Sequence, residues 1–454
     1  MGSLETEFDT SMLRPDTKAP LLKVIKGEGA YLTVPGGRKI LDACAGAAVA
    51  CIGHSDPRVR DAINRQLDAV SYAHGQIYTN EAQEDLAKLL IESTEGAMSH
   101  ALFMSSGSEA MEAAVKLARQ YHLEKHSPQP QRDIFVSRKG CYHGATLATL
   151  ALSGHIGRKA PYTTMMIPNV RHTLQCNGYR KNEGETDEAY VGRLAGVLES
   201  DILACGTDRV CAFVAETVGG ATSGAMPAVH GYFKAIRKVC DKYGVLLILD
   251  EIMCGAGRTG TMHAWQQEDI VPDIQAMGKG LCGGFIPLSA ILMNHKVFQA
   301  LHNNSGAFCH GQTFQAHILG AAASLRVQQI LVEDNLIRAS REKGDYLMQR
   351  LNKSIRDLPH VGDIRGRGLF VGIEFVKDKQ TKESFDPCEG IAYRVRQAVF
   401  DRDVAIYPGT GSVDGVRGDH IIIAPPFTVP KADLDRIVDI LEEAFTEVFA
   451  TTGK

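Results

Sequence analysis

Five apolar residues in a row, Val245 to Leu249, run directly into two carboxylates, Asp250 and Glu251. A run this short, with no polar residue at alternate positions, suits a strand buried on both faces, and such strands belong to parallel sheets covered by helices. An acid where the strand ends marks the ligand side, because open α/β sheets bind outside the carboxyl ends of their strands. Lys279 follows between Gly278 and Gly280. Flanking glycines let the backbone approach a bound group closely. A lysine partly desolvated there loses its proton near neutral pH and can attack a carbonyl. The stretch from Val245 to Gly284 therefore reads as a site for a cofactor aldehyde.

The same theme recurs upstream. Ala101 to Met104 is a short strand, followed by Ser-Ser-Gly-Ser and a helix with Ala110, Ala114, Leu117, Ala118 and Tyr121 on one face. Helix N-terminal amides with serine hydroxyls make an anion site. Taken alone, the loop reads more simply as an N-cap at Ser106 or Ser108. The segment 133–154 gives a strand, a loop holding Tyr142 and His143, and a small-residue helix. A flat ring at a strand end can stack on a flat ligand, or serve packing alone. Residues 171–190 are polar and read as an exposed loop or insertion. A strand at 210–215 ends in Glu216 and Thr217, and Val218 to Pro227 reads as flexible. Strands and helices thus alternate from about 100 to 280, the pattern of a mainly parallel, helix-covered sheet.

Outside that region the pattern changes. A hairpin is expected around Pro35-Gly36-Gly37, and Gly46 to His54 is either a packed loop or a pocket wall. Helices are expected from Asp56-Pro57 to Val70, with Val59, Ile63 and Leu67 on one face, and after an N-cap at Asn80. Thr313 and Phe314 precede a long helix, helical patterns continue to about Leu358, and strand, helix, strand and a terminal amphipathic helix follow. The expectation is an α/β fold with a large domain at 61–320, plus a smaller α+β domain built from 1–60 and 321–454.

Several function classes fall away. A net charge of -4 and a pI near 6.5 offer no basic field for nucleic acid. The 11 cysteines show no C-x-x-C spacing, so no metal site is expected, and they suit a reducing, cytoplasmic compartment. No apolar run approaches the ~18 residues of a membrane span, and the start has no basic-then-apolar secretory pattern. Gly2 and Thr6 match a myristoylation pattern, but the residues after them are acidic, and an ordinary start is the better reading. Gly255-Ala-Gly257-Arg-Thr-Gly260 fits a dinucleotide fingerprint. Two carboxylates stand between it and the strand, where they would repel a pyrophosphate, so it reads as a turn.

Taken together, SSGSEAMEAAVKLAR, CYHG, VAET, LILDEIMCGAGRTG, MGKGLCGGFIPLSA and HGQTF resemble the class III aminotransferases, the pyridoxal-phosphate family of ω-amino acid and amine transaminases. The matches occur in family order over nearly the whole chain. The resemblance implies that Lys279 joins the cofactor aldehyde as a Schiff base and that Asp250 binds the protonated pyridine nitrogen. It implies a phosphate site at Ser106, Gly107 and Ser108, completed by Thr313 of a neighbouring subunit in a homodimer whose active site lies at the subunit interface. Tyr142, with His143 beside it, and Ile252 would take the two ring faces, and Glu216 would lie near Asp250 and the phenolic oxygen. The reaction implied moves an amino group from an ω-amino acid, diamine or primary amine to pyruvate or 2-oxoglutarate. Decarboxylases, aminomutases and racemases share the pattern, and a catalytically silent binding protein on the same fold is a third reading. Thr217 stands where the family more often has proline. Ile421 to Ile423 stand where several relatives carry an arginine, which leaves Arg417 either as a substrate-carboxylate ligand or as a solvated loop charge.

Overall fold

The computed structural model describes residues 11–13, 16–17 and 21–450, so the Gly2–Thr6 pattern lies outside the described residues. Seven strands form the main sheet: β1 (His100–Met104), β2 (Ile134–Arg138), β3 (Val170–Thr173), β4 (Val210–Glu216), β5 (Leu246–Asp250), β6 (Ile274–Met277) and β7 (Ser289–Met293). Their order is β1-β7-β6-β5-β4-β2-β3. Only β7 runs against its neighbours.

Strand β5 lies at the centre of this sheet, and its residues point alternately to two helix layers. Leu246 and Ile248 share a packed cluster with Ala110, Ala114 and Leu117 of the helix Gly107–Glu124. Leu247 and Leu249 share another with Phe233 and Ile236 of the helix Tyr232–Tyr243. All four are buried, each stabilising the fold by about 1.5–3 kcal/mol. The alternation also decides the fate of the two carboxylates that end the run. Asp250 turns toward the N-terminus of helix Gly107–Glu124, and Glu251 turns to the opposite side, beside Trp265.

Two sequence expectations are corrected here. Residues 171–190 are not simply an exposed loop, for they continue edge strand β3, bury Thr173, Cys176 and Asn177, and enter the helix Asp187–Cys205 through a Thr186 cap. The order comes from partners distant in sequence rather than from apolarity: the Tyr190 hydroxyl accepts from the Asn177 amide, and Arg180 pairs with the buried Glu374. Val218 to Pro227 is likewise fixed rather than flexible. Val218-Gly219 pairs with Met226-Pro227, and the carbonyls between them accept from Arg365 and His420.

Besides that two-stranded pair, the described residues form two four-stranded sheets. One unites Lys26–Glu28, Tyr31–Thr33 and Lys39–Asp42 with Val404–Ala405, so the two ends of the chain meet in one sheet. The other orders Val361–Arg367, Phe370–Phe375, Asp419–Ile423 and Tyr407–Thr410, and the terminal helix Lys431–Ala450 buries Leu434, Ile437, Leu441 and Phe445 in the same core as Val371, Ile373 and Phe375. Among the described residues no helix is long and apolar enough to cross a membrane.

Candidate active site

The carboxyl ends of β4 and β5 open onto a cavity of ≈ 300 Å³, the lower end of the range for small-molecule sites. Asp250 and Glu216 are register partners on these strands, so both acids reach the same cavity. The Asp250 carboxylate accepts from the Ile252 amide at 3.0 Å and from His143 Nδ1 at 2.8 Å. Burial alone would hold the His143 imidazole neutral. Cys141 and the Asp250 carboxylate beside it overcome that and raise its pKa well above the ordinary value. His143 therefore lines the cavity as the partner of Asp250, and its buried Nε2 has no hydrogen-bond partner among the described residues. Burial also pushes the Glu216 carboxyl upward, and its oxygens accept from the amides of Gly220 at 2.7 Å and Tyr142 at 3.3 Å.

Lys279 enters from the turn after β6 with a φ of +46°, a left-handed conformation that costs a non-glycine residue about 1–2 kcal/mol. Among the described residues nothing accepts a hydrogen bond from its Nζ, and burial, the largest influence, lowers its pKa against the opposing pull of Asp250 and Glu216. The result is a buried amine without a hydrogen-bond acceptor among the described residues, in a cavity lined by two acids.

The opposite wall is the start of helix Gly107–Glu124. Ser106 is its N-cap, its hydroxyl accepting from the Glu109 amide at 3.3 Å while the Glu109 carboxylate accepts from the amides of Ser105 and Ser106 at 2.9 Å. That leaves Gly107 and Ser108 on the cavity, where first-turn amides have no preceding helical carbonyl. Ser108 Oγ accepts from the Ala145 amide at 3.0 Å, so its own proton is free for an anion. A Cβ at Gly107 would lie 2.9 Å from Ile252 Cδ1 and Cγ2, so only glycine lets Ile252 sit where it does. Tyr142 and Ile252 both line the cavity.

Three predicted residues do not line the cavity, the first being Ser106, which caps the helix behind it. Thr313 is exposed, its carbonyl accepting from the Tyr72 hydroxyl at 2.9 Å, and it does not line this chain's cavity. Arg417 is also outside, exposed, its Nε donating to Asp414 at 2.7 Å. Conversely, Ala47, Ala221, Arg158 and Tyr407 line the cavity without having been singled out, although Ala47 belongs to the stretch left open as a possible pocket wall. Arg158 carried no visible signal, being one charge in a four-residue helix, Ile156–Lys159.

The class III aminotransferase family profile matches residues 12–445. The chain belongs to that family. An aminotransferase of Gibberella zeae is 47% identical over 95% of this chain and 85% of its own length. Gamma aminobutyrate transaminase 2 of tomato (Solanum lycopersicum) is 35% identical over 96% and 95% of the two chains. The omega transaminase of Pseudomonas jessenii, solved in complex with PMP, superposes with a TM-score of 0.90 at 31% identity, covering 97% of each chain. Class III aminotransferases use pyridoxal phosphate, and the donor set of this cavity fits it. Helix amides and a hydroxyl await an anion, a paired carboxylate awaits a cationic ring nitrogen, and an unpaired amine awaits an aldehyde.

Proposed function

We propose that this enzyme is a transaminase working in two half-reactions, taking an amino group from an ω-amino acid, diamine or primary amine and passing it to a keto acid, pyruvate or 2-oxoglutarate. The observation that carries the reading is Lys279, an amine without a hydrogen-bond acceptor among the described residues, its pKa lowered by burial, in one cavity with Asp250 and the start of helix Gly107–Glu124. The names of relatives support the donor class, since the tomato relative is a gamma aminobutyrate transaminase.

Pyridoxal phosphate, when bound, supplies an aldehyde that takes up the amino group and a ring that accepts the electron pair left when a carbon–hydrogen bond breaks. The protein's part is to bind, orient and move protons. Gly107 and Ser108 would hold the phosphate with their amides and the Ser108 hydroxyl. Asp250, paired with His143, would hold the ring nitrogen in its charged form. Tyr142 and Ile252 would fix the ring between them, and Glu216 would face the phenolic oxygen. Lys279 Nζ would serve as the base that moves a proton between the substrate carbon and the cofactor's aldehyde carbon.

We also assign the catalytic form to a homodimer. Thr313 lies beside an exposed apolar group, Tyr72 and Phe314, whose rings stand 6.1 Å apart, a surface suited to a second copy and to placing Thr313 at that copy's phosphate site. The division near residues 60 and 320 is supported by the pairing of Lys39–Asp42 with Val404–Ala405. The cytoplasmic assignment is supported by all 11 cysteines remaining free thiols. Lys279→Ala is expected to abolish turnover and the visible absorption of the bound cofactor. A variant with normal turnover, or wild-type turnover that releases CO₂ or needs no keto acid, overturns the reading.

A further inference from the structure

We propose that Arg158 reads the carboxylate of the substrate, a role that rests on the transaminase reading above. Its guanidinium lies at the cavity mouth with Cζ 4.7 Å from the centre of the Tyr142 ring, a cation–π contact that holds it over that wall. Among the described residues the guanidinium of Arg158 makes no hydrogen bond or ion pair, while its backbone amide donates to His155 Nδ1. The five donors of its guanidinium are therefore uncommitted. The acids that could have taken them are occupied, Asp250 by His143 and the Ile252 amide, Glu216 by the amides of Gly220 and Tyr142. An unpaired arginine fork beside a reacting amine selects a planar anion, and a carboxylate fits it bidentately. Its charge reaches the reaction centre, being one of the influences that lower the Lys279 pKa.

The position also explains how a substrate carboxylate is met although Arg417 stays outside. The short helix carrying Arg158 is seated on the loop that carries Arg417. His155 Nε2 donates to the Thr410 carbonyl at 3.1 Å, and the Gly157 amide donates to the Gly415 carbonyl at 3.4 Å. Arg417 is tied to Asp414 on the far side of that loop. The ligand class is thus an amino or keto acid whose carboxylate reaches Arg158 while its reacting carbon lies at Lys279.

The test uses holoenzyme of the wild type, Arg158→Gln and Arg158→Lys. Glutarate, an unreactive dicarboxylate, is titrated by calorimetry, and the spectral half-reaction is timed with 4-aminobutanoate and with 1-aminobutane, its counterpart lacking the carboxylate. Arg158→Gln is expected to weaken glutarate binding and to slow the carboxylated donor by about 10- to 100-fold, leaving the neutral amine within about threefold, with Arg158→Lys between. Equal losses on both donors, an unchanged glutarate affinity, or glutarate that binds none of the three proteins overturns the assignment while the transaminase reading stands. A wild type in which neither amine changes the cofactor spectrum overturns the transaminase reading, and this one with it.

Discussion

Replacing Gly107 by alanine tests the packing between the start of helix Gly107–Glu124 and the turn after β5. The added carbon would sit 2.9 Å from two carbons of Ile252, about 1 Å inside ordinary contact between carbons. Gly107 has no left-handed φ, so alanine costs nothing in backbone conformation and gains up to about 1 kcal/mol in helix propensity. Overpacking of this kind costs about 1–3 kcal/mol, so the apoprotein is expected to lose no more than about 3 kcal/mol in urea unfolding. The larger effect falls on the cavity, because the Ile252 side chain has to shift within the wall it shares with Lys279 and Asp250. Pyridoxal phosphate, titrated into apoprotein and followed by its visible absorption, is expected to bind at least about 10-fold more weakly, a loss of about 1.4 kcal/mol. Ile252→Ala removes every atom that the new methyl would strike. In that background Gly107→Ala is expected to cost less than about 0.5 kcal/mol in cofactor affinity, a coupling a double-mutant cycle reads directly. Equal costs of Gly107→Ala in both backgrounds would refute the argument.

Two further outcomes follow from the buried charges. His143→Phe leaves the Asp250 carboxylate buried without its partner and is expected to lower stability by about 3 kcal/mol in urea unfolding; Asp250→Asn added to it should recover part of the loss, and a single variant within 0.5 kcal/mol of wild type would contradict the pairing. Glu251 is the second case: burial raises its pKa to about 7, against donors that include Thr217 Oγ1 at 2.7 Å. A carboxyl group whose folded pKa lies above its unfolded value contributes stability that is complete below about pH 4.5 and is lost as pH rises through about 7. Thr217→Val removes a donor that favours the ionised form, so it should destabilise by about 1 kcal/mol at pH 5.5 and about 2–3 kcal/mol at pH 8.5. The buried histidines titrate equally in both proteins and cancel, so a difference that is flat with pH would exclude Glu251 as its source.

What could be read in advance was whatever a short window of sequence determines. The run Val245–Leu249 announces a doubly buried strand because each residue in it needs an apolar neighbour, and Asp250 follows from where that strand ends. An N-cap for helix Gly107–Glu124 is legible at Ser106 or Ser108, and the structure places it at Ser106, three residues before Glu109. What stayed hidden depends on residues brought together by the sheet. Alternation sends Asp250 and Glu251 to opposite sides, but nothing local shows that amides of Ala264 and Trp265 would arrive to hold Glu251. The departure at Thr217 is explained only by the fold, which sets its hydroxyl on Glu251. Arg417 drew attention as the arginine nearest the prolines, and Arg158, far from them in sequence, is the one at the cavity.

The sheet shared by Lys39–Asp42 and Val404–Ala405 has a consequence for how the protein comes into being. The strand Lys39–Asp42 cannot complete its hydrogen-bond ladder until residues about 360 positions further along have been made. Tyr407 and His420, which complete the cavity wall and hold the Ala221 carbonyl, arrive just as late. Pairings so distant in sequence make folding slow, and they leave an unpaired edge exposed meanwhile. Synthesis of this enzyme therefore finishes the scaffold of the large sheet long before the catalytic chamber exists, and a chain stopped short of residue 404 is a sheet with an open pocket and an unsealed N-terminal ribbon.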